Sequence, residues 1–106
     1  MTIKTPVIRA WQEAVLPLEQ DIEERLRAEG LDSYRWSNDP GDVYTAHTHP
    51  YHKVLYVVRG SITFAFPAAG RQVTLHPGDR LDLPPNTAHE AEVGPGGVVC
   101  LEAHHA

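Results

Sequence analysis

The chain has 106 residues, 42% of them apolar and 22% charged, which bounds it to one globular domain rather than a disordered segment or a multidomain protein. Its formal charge of −5, with basic residues scattered and no basic block, argues against nucleic acid and against an anionic membrane surface as partners. No stretch approaches the ~20 apolar residues of a spanning helix, no signal-peptide run opens the chain, and the single cysteine, Cys100, excludes an intramolecular disulfide and fits a reducing compartment, so the expected location is the cytoplasm.

The first thirty residues carry the helical signal. In "LEQDIEERLRAEG", Leu18, Ile22 and Leu26 recur every four residues and line one face. Pro17 suits the first turn, acids crowd the early turns, and Gly30 can end the helix. Glu19, Glu23, Glu24 and Glu29 read as a solvated face. Residues 1–30 are thus expected to be an extension whose one helix packs on the main body, residues 31–106.

From Leu31 onward the punctuation is that of strands. "DSYRWS" precedes the turn "NDPGD", and "VYTAHTH" alternates before "PYH" intervenes. "KVLYVV" and "SITFAF" flank Arg59-Gly60, which reads as a hairpin. "RQVTL", "RLDLP", "AHEAEV" and "VVCLEAHH" come next, separated by "HPGD", "PNT" and "GPGG". About eight short strands spaced by turns predict an all-β antiparallel sandwich or barrel. "GVVCLE" makes Cys100 a core residue rather than a catalytic thiol.

His47 and His49 stand two apart. On a strand such residues point to one face, so the pair presents two imidazoles side by side, either as a metal clamp or as surface decoration. His89 follows "LPPNTA" in a later strand that a barrel can bring across. Neutral imidazole suits a divalent ion such as zinc, iron, nickel or manganese. His52 lies three residues after the pair. Strand alternation turns it away, but the "PY" bend leaves its parity open, so it stays a fourth candidate ligand. His76 before a Pro-Gly turn, and His104 and His105 in the C-terminal tail, read as exposed.

These residues sit in two spaced motifs. Gly41, five residues, His47-Thr48-His49, three residues, Lys53, six residues and Gly60 form the first. Gly78, five residues, Pro84-Pro85-Asn86, two residues and His89 form the second, after an interval from Ser61 to Pro77. The pattern resembles the two motifs of the cupin family over about residues 40–104. The resemblance implies a jelly-roll β-barrel and metal ligation by His47, His49 and His89. It departs at two places. Asn86 replaces a glycine, a mild change because asparagine tolerates positive φ. Lys53 stands where the family has a glutamate ligand.

An ammonium about 5 Å from a divalent ion would be repelled by roughly 7 kcal/mol at an effective dielectric of 20. Lys53 must therefore be neutral, pair with a carboxylate, bind an anionic substrate, or face an empty site. Glu102 and Glu90 are the candidate partners, and Lys53 and Glu102 the candidate catalytic residues. Leu55 and Val57 share the parity of Lys53 and should fill the barrel. Val54, Tyr56 and Val58 face outward and need a cover, part of it from the helix and part from a second copy, which predicts a homodimer. Trp11, Trp36 and Phe66 read as packing, and Tyr44, Tyr51 and Arg35 as ligand contacts. Three functions stand open: a metal-dependent enzyme (oxygenase, isomerase or decarboxylase) acting on a small anionic carboxylate, a small-ligand-binding module, and a structural barrel with a vestigial site.

Overall fold

The computed structural model describes residues 3–105. Among the described residues seven strands form one antiparallel sheet: β1 (Val7–Arg9), β2 (Tyr34–Asn38), β3 (Val43–His47), β4 (His52–Phe66), β5 (Arg71–Leu75), β6 (Arg80–Leu83) and β7 (His89–His105). Their order is β1-β6-β4-β7-β2, with β3 also on β7 and β5 also on β4. One α-helix, α1 (Glu19–Ala28), precedes β2, and a short 3-10 turn at Pro67–Ala69 joins β4 to β5. The architecture is all-β, one of the two that the strand spacing predicts, and it is the jelly-roll barrel that the resemblance implies.

The spine is the long ladder of β4 on β7. Its lower half pairs Lys53 with His104 and Leu55 with Glu102, and its upper half pairs Phe64 with Ala91. Between them the register shifts at Val57/Arg59 and Gly60/Ile62. Here the expected hairpin at Arg59-Gly60 is corrected: the chain does not reverse but runs straight on through a bulge. Gly60 has φ +81°, and a Cβ there would collide with the Gly97 carbonyl oxygen. Gly97, facing it, has φ +75°, so "GPGG" is likewise a bend within β7 and not a turn between strands. A positive-φ glycine serves a bulge as well as a tight turn, which is why eight short strands became fewer, longer ones. No strand is predicted at Val7–Arg9, yet the three residues of β1 pair with Asp82, Leu81 and Arg80 of β6.

Two apolar clusters result from strand alternation. Leu55, Val57, Ile62, Phe64, Phe66 and Cys100 point into the barrel. Val54, Tyr56, Leu101 and Ala103 point outward and meet Ile22, Leu26 and Leu31. The helix closes there with a Schellman motif: Gly30 N–H donates to Arg27 O and Leu31 N–H to Leu26 O, with Gly30 at φ +78°. Val54 is wholly buried and Tyr56 nearly so, so the chain's own helix covers this part of the face, while Val58 is only partly buried.

Two details of the helix differ from expectation. Leu18 is the N-cap and is 63% exposed, because the packed stripe begins at Ile22. Glu29 is exposed, as expected, but it does more than face solvent. It receives Arg80 in a bidentate pair, at 2.5 and 2.9 Å, while Arg80 Nε donates to Asp82 at 2.8 Å. This network ties the helix end to β6, and its guanidinium cannot be left unpaired once buried. Among the described residues no helix is long and apolar enough to cross a membrane.

Candidate metal centre

β3 ends at His47, and β7 begins at His89, directly opposite in register. His49 lies in the following loop, whose position is fixed by a hydrogen bond from Asn86 N–H to His49 O at 2.6 Å. Asn86 sits at φ +59°, the left-handed conformation that the asparagine-for-glycine exchange requires. The three rings converge, with centroids 4.3 to 5.2 Å apart, and their candidate ligand nitrogens lie within 4.8 Å of one another.

Their hydrogen bonds select which nitrogen is free. His47 Nδ1 lies 2.7 Å from Thr45 O and His89 Nδ1 2.9 Å from Thr87 O, so each donates Nδ1–H and leaves Nε2 as a lone-pair donor. Among the described residues the Nε2 atoms of His49 and His89 are buried and have no hydrogen-bond partner. Buried polar atoms are seldom left so, and three neutral imidazoles aimed at one point fit the donor set of a divalent metal ion. Burial pushes His89 down to about 4, outweighing the Thr87 carbonyl, and His47 and Lys53 push the same way. Burial, then Lys53 and His47, also lower His49. Both are held in the neutral, ligating form.

The histidines open onto a cavity of about 250 Å³, walled by Trp36, Tyr44, Tyr51, Phe64, Lys53 and Glu102. Lys53 is answered by the acid on β7. Its Nζ lies 3.6 Å from Glu102 Oε1, and the two side chains are 12% and 6% exposed. Glu102 also accepts from Tyr34 OH at 2.5 Å and Trp36 Nε1 at 3.0 Å, and lies 2.6 Å from His104 Nε2. Burial alone would raise its carboxyl, but Lys53, Tyr34, His104 and Trp36 together hold it below the ordinary carboxylate value. Glu90 is exposed and takes no part.

Several expectations are corrected. His52 is not with the other three: its Nε2 lies 2.9 Å from Asp82 on the outer side of β4, and its ring lies tilted against His105. The "PY" bend does not alter strand parity. Arg35 pairs with Glu19 on the surface instead of reaching the cavity. Trp36 is not mere packing, since its indole N–H holds Glu102. His104 and His105 are strand residues, and His104 belongs to the site. The signal for it was available: Glu102 and His104 share strand parity, as do Tyr34 and Trp36 opposite them. Cys100 is buried in the core, where burial pushes its thiol up to about 12.

The sequence profile of the cupin domain matches residues 34–105. The chain belongs to the cupin family. No curated protein matches this cupin, but solved structures do. An RmlC-like cupin from Shewanella frigidimarina NCIMB 400 is 27% identical, with a TM-score of 0.60 over 70% of this chain and 64% of that one. KdgF from a Halomonas species is 29% identical, with a TM-score of 0.59 over 70% and 67% of the two chains. A cupin superfamily protein from Desulfitobacterium hafniense DCB-2 is 13% identical, with a TM-score of 0.61 over 98% and 82%, and shares the fold. The matched part spans about two thirds of the length of the first two.

Proposed function

We propose that this cupin binds a divalent metal ion through Nε2 of His47, His49 and His89 and acts there on a small carboxylate compound. The observation that carries the reading is the pair of buried, unpartnered Nε2 atoms facing a third imidazole beside a half-open cavity. When bound, such an ion supplies Lewis acidity, or redox chemistry if it is iron or manganese. The chain's own residues do the rest. The cavity of about 250 Å³ suits a small ligand of roughly ten non-hydrogen atoms, scaling from benzene in a 150 Å³ cavity. Lys53 has three N–H bonds, of which Glu102 takes at most one, so its ammonium keeps donors for a ligand carboxylate. Glu102 fixes that ammonium and cancels its charge. Burial and the Glu102 carboxylate raise Tyr34, which therefore stays a proton donor.

A second reading, ligand binding without chemistry, is favoured by one observation. Both oxygens of Glu102 are occupied by donors and its carboxyl is held low, so it is a poor general base. Elemental analysis of protein purified without added metal, followed by calorimetric titration with small carboxylates and their amides, tests both. Near-stoichiometric metal and preference for the carboxylate support the proposal. Iron or manganese points to oxygenase chemistry, zinc or nickel to isomerisation or decarboxylation. Metal content below one in ten chains after growth in each metal would overturn it. Carboxylate binding with no conversion over hours would leave the binding module.

A further inference from the structure

The three imidazoles are not held alike. His47 and His89 are each locked by the carbonyl two residues upstream. Among the described residues the ring of His49 has no hydrogen bond, and its Nε2 is buried. What faces its ring is Tyr51, stacked at a centroid distance of 5.0 Å with planes 22° apart. Tyr51 also stacks on His104, at 3.9 Å and 29°. His104 is fixed in turn by Glu102 at 2.6 Å, with Tyr34 edge-on at 5.7 Å. A continuous row of contacts thus runs from the buried Glu102 through His104 and Tyr51 to the one candidate ligand without a hydrogen-bonded orienter.

Tyr51 walls the cavity but is not a packing residue of either core. It lies in the loop between β3 and β4, is only half-buried, and is absent from both apolar clusters. A ligating imidazole needs its ring plane set by an outer partner. Hydrogen bonds supply this for two of the three, and ring stacking is the contact available to the third. We propose that Tyr51, backed by His104, is a positioning residue for His49, setting its ring angle and with it the metal affinity and ligand field. The inference rests on the three-histidine metal reading.

Co²⁺ is the probe, because its visible absorption reports ligand geometry independently of any turnover. Affinities, by competition with a chromophoric chelator, and spectra at saturating Co²⁺ are compared for the wild type, Tyr51→Phe, Tyr51→Leu, His104→Ala and His89→Ala. Tyr51→Phe keeps the ring and should bind within about twofold of wild type with the same bands. Tyr51→Leu should bind roughly tenfold more weakly, the scale of a lost outer-shell partner, with shifted bands even at saturation. His104→Ala should shift both in the same direction, by about threefold in affinity. Wild-type affinity and bands in both Tyr51→Leu and His104→Ala would overturn the proposal. If Tyr51→Leu does not fold, as judged by its metal-free melt, His104→Ala at the exposed rim decides alone. His89→Ala separates the two levels. If it binds Co²⁺ as wild type does, the metal reading falls; if it alone loses Co²⁺, only the stack falls.

Discussion

Replacing Lys53 by methionine keeps the length of the stem and removes the charge, which tests what the lysine does. In the wild type the ammonium sits 3.6 Å from Glu102 Oε1, with both side chains nearly buried. At an effective dielectric of 20 the attraction is about 5 kcal/mol. Against it stands the cost of desolvating the ammonium, several kcal/mol, which the variant recovers. Glu102 stays buried in the variant but keeps Tyr34, Trp36 and His104 as partners. Stripping a buried charge of its only partner costs about 3–5 kcal/mol. With three partners remaining, the expected loss is about 2 kcal/mol at pH 7.

The pH dependence gives a second check. Glu102 is held below the ordinary carboxylate value, so its contribution is fully present above that value and is lost as pH falls through the folded value. Without Lys53 the carboxyl rises, so the wild-type advantage should shrink below about pH 4.5. Urea denaturation of the metal-free proteins from pH 4 to 8 measures both effects. A double-mutant cycle with Glu102→Gln should return a coupling of about 2 kcal/mol. A Lys53→Met variant as stable as wild type at pH 7, or a difference that does not change with pH, would refute the reasoning.

Metal content should fall below a tenth of wild type in His89→Ala, whereas His52→Ala should keep it and lose only about 1 kcal/mol of stability with its Asp82 contact; elemental analysis and melts read both. The metal-free protein should lose stability as pH falls from 7 to 4. His89 takes up a proton near 6.5 when unfolded but only near 4 when folded, so the unfolded state gains on acidification by about 3 kcal/mol, and His89→Phe should remove most of this slope in denaturant titrations. Gly60→Ala should cost at least about 3 kcal/mol, because it forces a side chain into positive φ and against the Gly97 carbonyl; a melt within a few degrees of wild type would contradict this.

How much of the molecule is legible in the sequence depends on the range of the interactions involved. His47, His49 and His89 were readable because same-face spacing and two fixed-length motifs are local. The helix was readable from its period and from Gly30, and the cap geometry bears out that glycine. Gly60 and Gly97 were misread because positive φ is common to turns and bulges, and only the ladder on both sides shows that the strand continues. β1 carries three residues, too few for a period to show. Glu102 could not be assigned a face from "VVCLEAH" alone, since that depends on the register of β7 against β4 past two bulges. Once Leu55 is set opposite Glu102, the inward parity of His104, Tyr34 and Trp36 is determined.

That register also resolves the lysine at the family's acidic position. The carboxylate missing from residue 53 stands on the adjacent strand at residue 102, one diagonal step away. There it does not join the histidines as a ligand but accepts four neighbours as a fixed anion. Its effect on the centre is visible in His49, which Lys53 pushes down and Glu102 pushes up. A repulsion of roughly 7 kcal/mol for a bare ammonium about 5 Å from a divalent ion is comparable to the attraction of about 5 kcal/mol that Glu102 returns to Lys53. The same carboxylate would also attract a divalent ion held by the histidines. The Lys53–Glu102 pair therefore leaves the net charge of the wall near neutral while giving the cavity a cationic donor, and a carboxylate ligand is the chemistry that such a donor would favour.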